Sequence, residues 1–142
     1  MMENVKTDTL SKADSLTLAR EIVSVLIEKK ALDVRMFCVS EDSSVTDYYV
    51  NATGRSSTNV ASLADEVTYK IGLQGRDALR VEGRSGNAWI LVDYGDVIVN
   101  VFDKPSRDFY NFDRLLPESG QIDISDIIAE IDKKYDINKK ED

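Results

Sequence analysis

The sequence predicts an α/β domain in which helices flank a mixed β-sheet. Three observations support this fold class. The 142 residues are 42% hydrophobic and 31% charged, a composition typical of one globular domain. Apolar residues repeat at helical spacing in several segments, and short runs of β-branched and aromatic residues lie between them. The predicted order, α-β-β-α-β-β-β-α-α, is typical of a single domain built on a mixed sheet.

The N-terminal segment predicts an arm followed by a helix. Residues 1–14 are polar, and we expect a flexible arm there. Asp14 or Ser15 can then cap a helix that ends near Lys30. Its apolar stripe falls at i, i+4, i+7 and i+8, in Leu18, Ile22, Val25 and Leu26.

Two strands and a second helix come next. Segments 34–39 and 47–53 are rich in side chains that favour a pleated surface, so they predict strands. Gly54 ends the second strand, and Ser56 or Ser57 offers an oxygen to cap the following helix. That helix repeats apolar residues at i, i+3, i+4, i+7 and i+11, in Val60, Leu63, Ala64, Val67 and Ile71.

Three more strands follow. Segment 79–82 predicts a short strand, and segments 89–94 and 97–102 are apolar at nearly every position. Gly95-Asp96 between the last two predicts a two-residue hairpin, because Gly adopts a positive φ at the first turn position. Strands this apolar predict that both faces of the sheet are covered.

Two helical segments complete the chain. Residues 106–116 predict a helix that Pro117 ends, and residues 124–135 repeat a strong helical pattern of apolar positions. We therefore expect a domain over 15–117 and a C-terminal helical extension over 118–142.

Composition excludes several classes of function. The chain has no histidine, so zinc sites and nucleophiles that depend on an imidazole are excluded. Its only cysteine, Cys38, cannot form an intrachain disulfide. The net charge of −8 and the lack of any run of three basic residues argue against nucleic-acid binding and favour a basic protein partner. No segment resembles a membrane span or a signal peptide, so we expect a cytoplasmic protein.

Two short motifs have both a ligand-binding and a purely structural interpretation. The turn 54–57, Gly-Arg-Ser-Ser, can bind phosphate before a helix N-terminus, or it can simply turn the chain and cap the helix. Asp93 and Asp96 can converge on a divalent metal, although Asp is also frequent in turns. The Asp-x-Asp pair typical of metal-dependent nucleotidyl transfer does not occur in the sequence. We expect no cofactor and no metal, and the alternative function is a nucleotidyl- or phosphoryl-transferase that uses the turn from Gly54 to Ser57.

Aromatic residues and one arginine favour a binding surface. Arg107 and Tyr110 lie at i and i+3 of a predicted helix, so we expect them to point the same way. With Trp89 and Tyr94 they supply residue types enriched at binding hot spots. Trp89 is also compatible with a core position in its strand, whereas Tyr94, beside the turn, is expected to be partly exposed.

Four sequence motifs occur in a recognisable order. They are T-D-Y-Y-V-N-A-T-G-R-S-S at 46–57, V-A-S-L-A-D-E-V at 60–67, E-G at 82–83 with W-I-L-V-D-Y-G-D-V-I-V at 89–99, and R-D-F-Y at 107–110. Together they resemble segments of the Iojap / ribosomal silencing factor (RsfS) family, over about residues 16–116.

The resemblance implies an α/β fold related to that of nucleotidyltransferases, in a protein that is not an enzyme. It implies a factor that binds a basic protein of the large ribosomal subunit on the face that joins the small subunit. Bound there, the factor would block subunit association and lower translation when nutrients are scarce. A homodimer is also implied. The partner contacts would be Trp89, Tyr94 and Tyr110, with Asp93 and Arg107 as further contacts from the same motifs.

The sequence departs from the family pattern at two places. The family usually has His in the strand after the hairpin, where Asn100 stands here, so an ionisable imidazole is lost while hydrogen bonding is kept. The family often ends its last helix with Leu-Trp, whereas this chain has Leu115-Leu116-Pro117 and loses an aromatic contact. The helix from Ile124 onward lies beyond the usual family core.

Overall fold

The fold is a six-stranded sheet with helices on both sides. The computed structural model describes residues 5–39 and 45–140, with side chains as far as residue 135. The elements are α1 (Ser15–Glu28), β1 (Leu32–Cys38), β2 (Tyr48–Gly54), α2 (Ser57–Leu73), β3 (Arg80–Glu82), β4 (Trp89–Asp93), β5 (Val97–Asp103), α3 (Lys104–Tyr110), β6 (Gln121–Ile122) and α4 (Ser125–Lys140), with 3₁₀ turns at Phe112–Leu115 and Glu118–Gly120.

The sheet is mixed, as predicted. Its strand order is β3-β4-β5-β2-β1-β6. Strands β2 and β5 pair in parallel along their whole length, and the other neighbours are antiparallel. The predicted hairpin joins β4 to β5: the Tyr94 N–H donates to the Val97 carbonyl at 2.9 Å, and Gly95 has a φ of 92°. The α/β fold class is therefore confirmed.

Both long N-terminal helices begin at predicted caps. The Asp14 carboxylate accepts a hydrogen bond from the Thr17 N–H at 2.8 Å, which caps α1. The Ser56 hydroxyl accepts from the Asn59 N–H at 3.1 Å and caps α2 in the same way. None of the helices among the described residues is long and apolar enough to cross a bilayer.

The main core lies between the sheet and the helices α1 and α2. Alternate residues of a strand point to opposite faces, so Ile90 and Val92 of β4 face these helices together with Val99 and Val101 of β5. All four are fully buried. The apolar stripes of the two helices close this side of the sheet, as their spacing predicts.

The opposite face of the sheet is covered only in part. The prediction of two fully covered faces holds for β5, which is buried along nearly its whole length. It is wrong for β4, where buried and half-buried residues alternate. The reason is that α3, together with the 3₁₀ turn at Phe112–Leu115, is short and lies over β5 and β2, so the outer strands extend beyond its cover.

The predicted helix over 106–116 is two elements. It begins earlier, at Lys104, because the Asp103 carboxylate accepts from the Ser106 N–H at 2.9 Å and Pro105 fits the first turn. It ends at Tyr110 because Asn111 adopts the left-handed conformation, with a φ of 48°. The chain then continues as a 3₁₀ turn that approaches the sheet.

The two ends of the chain are more integrated than the sequence predicts. In the described part of the predicted flexible arm, the N–H of Leu10 donates to the Gln74 carbonyl at 2.8 Å, and its side chain is buried. This part of the arm is docked and not free, because a buried leucine stabilises it there. In the predicted extension, β6 pairs with β1 and Ile127 of α4 joins the core beside α1. The segment 118–142 thus begins as part of the same sheet.

Candidate partner-binding surface

Aromatic side chains gather on the partly covered face of the sheet. Trp89 is the centre of the group: its ring centroid lies 4.9 Å from that of Phe102 and 5.0 Å from that of Tyr110. Phe112 of the 3₁₀ turn bridges to a neighbouring strand, 5.2 Å from Tyr49. We call this group the aromatic surface; its members are Tyr49, Trp89, Phe102, Phe109, Tyr110 and Phe112.

Exposure increases outward through the aromatic surface. Phe102 is fully buried and Trp89 is half-buried, while Tyr110 is 52% and Phe109 is 82% exposed. Leu115 is also largely exposed at the end of the 3₁₀ turn. Phe109 and Tyr110 thus pack against the domain on one side and face solvent on the other. Aromatic residues are enriched in protein–protein interfaces.

A line of polar side chains lies beneath the aromatic surface. The Trp89 Nε1–H donates to Asn100 Oδ1 at 2.9 Å. Asn100 Nδ2 in turn donates to Asn51 Oδ1 at 3.0 Å, and Asn51 Nδ2 donates to Asp113 Oδ1. We call these four residues the amide chain. Asn100 keeps the hydrogen-bonding role expected of it, and its side chain is buried.

Arg107 is a support of the surface and is not open to a partner. Only 6% of the residue is exposed. Its Nε and Nη2 donate to Asp113 Oδ2 at 3.0 and 2.7 Å, and its Nη1 donates to Thr53 Oγ1 at 2.8 Å. Arg107 and Tyr110 reach the same face of the sheet, as their spacing predicts: the Arg107 Cζ lies 5.8 Å from the centroid of the Phe102 ring, and the Tyr110 ring packs on Trp89. They differ in exposure, since Arg107 is buried and Tyr110 is open to solvent.

Tyr94 lies in the main core, away from the aromatic surface. It is 3% exposed, so the expected partial exposure is wrong. The reason is strand alternation: Trp89 and Tyr94 are five positions apart, so they lie on opposite faces. Burial raises the pKa of the Tyr94 phenol far above its usual range, and no described residue accepts or donates a hydrogen bond at its hydroxyl.

Asp93 lies on the same face as Trp89 but at the other end of β4. Trp89 and Asp93 are four positions apart, a distance of about 13 Å along the strand. The Asp93 carboxylate accepts from Arg80 Nε at 3.0 Å and from the Gly95 N–H at 2.7 Å. The structure therefore brings Trp89, Arg107 and Tyr110 together and leaves Asp93 and Tyr94 elsewhere.

Comparison with known proteins identifies the family. The family model described as "Ribosomal silencing factor during starvation" matches residues 12–142. This chain belongs to the ribosomal silencing factor family. The family is one of regulatory proteins and not of known enzymes. The match includes α4, so the expectation that this helix lies beyond the family core is wrong.

Relatives of the ribosomal silencing factor family agree in sequence and fold. The ribosomal silencing factor RsfS of Halalkalibacterium halodurans is 30% identical over 120 residues, which are 84% of this chain and 100% of that protein. RsfS of Bacillus subtilis is 32% identical over 97 residues, 68% of this chain and 82% of the relative. A crystal structure of a Chromobacterium violaceum protein superposes with a TM-score of 0.72 at 30% identity, covering 78% of this chain and 91% of that one.

In this family member the Gly54 turn is built for packing and capping. A Cβ on Gly54 would lie 2.8 Å from Val60 Cγ2 and 2.9 Å from the Val60 nitrogen, so glycine lets α2 approach the strand. The Arg55 N–H donates to Asn59 Oδ1 at 2.9 Å, and its guanidinium donates to the Lys30 carbonyl. The Arg55 side chain and the Ser56 hydroxyl, which could contact a phosphate here, are thus engaged within the chain.

The two hairpin carboxylates each meet an arginine. Asp96 accepts from Arg76 Nη2 at 2.7 Å, and Asp93 is held by Arg80. Among the described residues, no three metal-ligating side chains converge. The geometry at the hairpin is that of two ion pairs that fix the turn.

Sequence reasoning missed the residues contributed by the 3₁₀ turn. Phe112 and Asp113 belong to the helix predicted over 106–116, whereas the structure places them in a 3₁₀ turn in contact with Tyr49 and Asn51. The left-handed Asn111 redirects the chain, and Asn is one of the few residues that tolerates this conformation. That residue type was the only local signal for the change in direction.

Proposed function

We propose that this chain represses translation by binding a basic protein on the joining face of the large ribosomal subunit. The aromatic surface is the contact, with Tyr110 and Trp89 at its centre. Occupation of that face excludes the small subunit sterically, in the cytoplasm, when nutrients are limiting. Because exclusion needs no chemical step, the extent of repression follows the occupied fraction of large subunits, set by affinity and concentration.

The observation that carries the proposal is the exposure of supported aromatic rings on one face of the domain. Phe109 and Tyr110 pack edge to face, with centroids 5.0 Å apart, and both are open to solvent. Their faces can receive an arginine or lysine side chain, because an aromatic face attracts a cation. The Trp89 ring packs against Tyr110 and restricts its side chain, so less conformational freedom is lost on binding.

Charge supports a basic partner for this surface. The chain carries a net charge of −8, and the exposed carboxylate of Asp33 lies 3.7 Å from Arg107 Nη2. Acidic groups around an apolar centre raise the association rate with a basic protein more than they raise affinity. Binding should therefore weaken as ionic strength rises.

Co-sedimentation with purified large subunits tests the proposal. The variant is Tyr110→Ala, and the matched control is Tyr69→Ala on α2, whose exposed fraction is 51% against 52% for Tyr110. We expect Tyr110→Ala to weaken binding by roughly tenfold or more, as for an interface hot spot, and to restore joining of small subunits. Tyr69→Ala should bind as the wild type does.

Two results would refute the proposal. Failure of the wild-type chain to co-sediment at near-physiological salt would exclude ribosome binding of this kind. Equal losses in Tyr110→Ala and Tyr69→Ala would show that the aromatic surface is not the contact.

A homodimer, also implied by the resemblance, would compete with the ribosome if it used the same surface. Analytical ultracentrifugation of the wild type and Tyr110→Ala tests this. A dimer lost only in Tyr110→Ala would place self-association and ribosome binding on one surface, whereas a dimer that survives would place it elsewhere.

A further inference from the structure

We propose that Asp113 is a positioning residue for the aromatic surface, because it sets the orientation of the Trp89 indole through Asn51 and Asn100. The effect on partner affinity rests on the proposed function. The effect on Trp89 itself does not. The inference assigns a role to the amide chain, whose inner members contact no solvent and would contact no partner.

The two ends of the amide chain determine the direction of every hydrogen bond in it. An indole N–H can only donate, and a carboxylate can only accept. Asn51 must therefore present its amide NH₂ to Asp113, which leaves its oxygen for Asn100. Asn100 must then present its own NH₂ to Asn51, and its oxygen is left to accept from Trp89.

The geometry of the sheet makes this chain continuous. Asn51 of β2 and Asn100 of β5 are direct partners in the parallel pair, so their side chains are side by side on the same face. Trp89 lies on the next strand, β4, and Asp113 reaches in from the 3₁₀ turn. One row of side chains thus connects three strands to the segment that carries Tyr110 and Phe112.

Arg107 holds Asp113 in place at the far end. Two of its N–H groups donate to Asp113 Oδ2, so Oδ1 is left for Asn51. Arginine has several donors and no acceptor, which keeps the carboxylate in its accepting role. Because Asn51 and Asn100 are both buried, neither amide can replace a lost partner with bulk water.

Replacement of the Asp113 carboxylate by an amide should therefore change the hydrogen bonding of Trp89. In Asp113→Asn the side chain keeps its shape but offers one acceptor oxygen to two donors, Arg107 and Asn51. If the oxygen serves Arg107, an NH₂ group faces Asn51, and Asn51 must rotate its amide. Asn100 must then rotate as well, which places its NH₂ against the indole N–H and leaves Trp89 without an acceptor.

The test uses Trp89 as its own reporter, since it is the only tryptophan in the chain. The variant is Asp113→Asn. The matched control is Asp108→Asn, which removes an exposed carboxylate that pairs with Lys104 on the same helix. The measurements are the tryptophan emission maximum, acrylamide quenching of that emission, and affinity for large ribosomal subunits.

We expect Asp113→Asn to shift the emission to the red, to increase quenching, and to lower affinity by roughly tenfold, the effect of about one unpaired buried donor. Asp108→Asn should leave all three unchanged. If Asp113→Asn does not fold, as judged by circular dichroism, Asn51→Leu supplies the test, because it interrupts the hydrogen-bond link between Asp113 and Asn100 while keeping the branched shape of the side chain.

Each remaining outcome overturns part of the inference. Unchanged emission and quenching in the folded variants would refute the coupling from Asp113 to Trp89, whatever the ribosome does. A changed emission with full affinity would refute the role in binding. If the wild type itself does not bind large subunits, the proposed function fails, and the positioning of Trp89 is still decided by its emission.

Discussion

Replacement of Tyr94 by phenylalanine should stabilise the protein. The side chain is almost fully buried, and its hydroxyl has no hydrogen-bond partner among the described residues. A buried hydroxyl without a partner costs about 1–3 kcal/mol. Tyr94→Phe keeps the ring and removes this cost, so we expect the free energy of unfolding to rise by about 1 kcal/mol. For a chain of this length that corresponds to about 3 °C in Tm.

The same substitution should remove part of the sensitivity to alkaline pH. Burial raises the pKa of Tyr94 in the folded protein, whereas in the unfolded chain it is near 10. Above pH ~10 the unfolded chain loses this proton while the folded protein keeps it, so folding stability falls as pH rises, by up to about 1.4 kcal/mol per pH unit. The advantage of Tyr94→Phe should therefore be constant near neutrality and increase above pH ~10.

Urea unfolding of wild type and variant, at neutral pH and above pH ~10, measures both effects. Other tyrosines with a raised pKa, Tyr48 and Tyr49, are present in both proteins, so their contributions cancel. A loss of more than about 1 kcal/mol at neutral pH would refute the reasoning, because it would mean that the hydroxyl makes a favourable hydrogen bond. Since Tyr94 faces the main core, binding to large subunits should not change.

Three further substitutions test other contacts of the structure. Gly54→Ala should lower the free energy of unfolding, measured in urea, by about 1–3 kcal/mol, because the alanine Cβ would lie 2.9 Å from the backbone nitrogen of Val60. An unchanged urea midpoint would contradict this close approach. Arg107→Met should lower the free energy of unfolding by about 2–3 kcal/mol, because the partly buried Asp113 carboxylate loses its ion-pair partner and keeps only the hydrogen bond from Asn51; a loss below about 0.5 kcal/mol would favour a surface role. Asn100→His should make tryptophan emission and folding stability depend on pH. The imidazole of the unfolded chain gains a proton below pH ~6.5, whereas burial keeps the imidazole of the folded protein neutral, so the free energy of unfolding falls as pH falls. A flat pH profile would contradict this.

Much of the fold could be predicted because its signals are local. The cap at Asp14, the helix that follows Ser56 and the turn at Gly95 each depend on residues only a few positions apart. In each case one side chain or one φ angle satisfies a requirement of the adjacent backbone. Such signals need no knowledge of the rest of the chain, and the structure confirms them.

The candidate site was predicted less well, because residue type does not determine exposure. Trp89 and Tyr110 do lie together on a partly open surface, whereas Arg107 is buried beneath it and Tyr94 belongs to the main core. An arginine in a helix is exposed or buried according to what that helix packs on. The partner-binding role of these residues stays a prediction until binding is measured.

By itself, the sequence determined the order of strands and helices apart from β6, the mixed sheet and the resemblance to the ribosomal silencing factor family. The tertiary structure decided which face of the sheet stays partly open, and it assembled the amide chain from Asn51, Trp89, Asn100 and Asp113. The physical reason is that periodicity assigns side chains to a face of their own element, while cover and hydrogen bonding depend on packing between elements distant in sequence. A single left-handed residue, Asn111, turned the chain so that this packing could form.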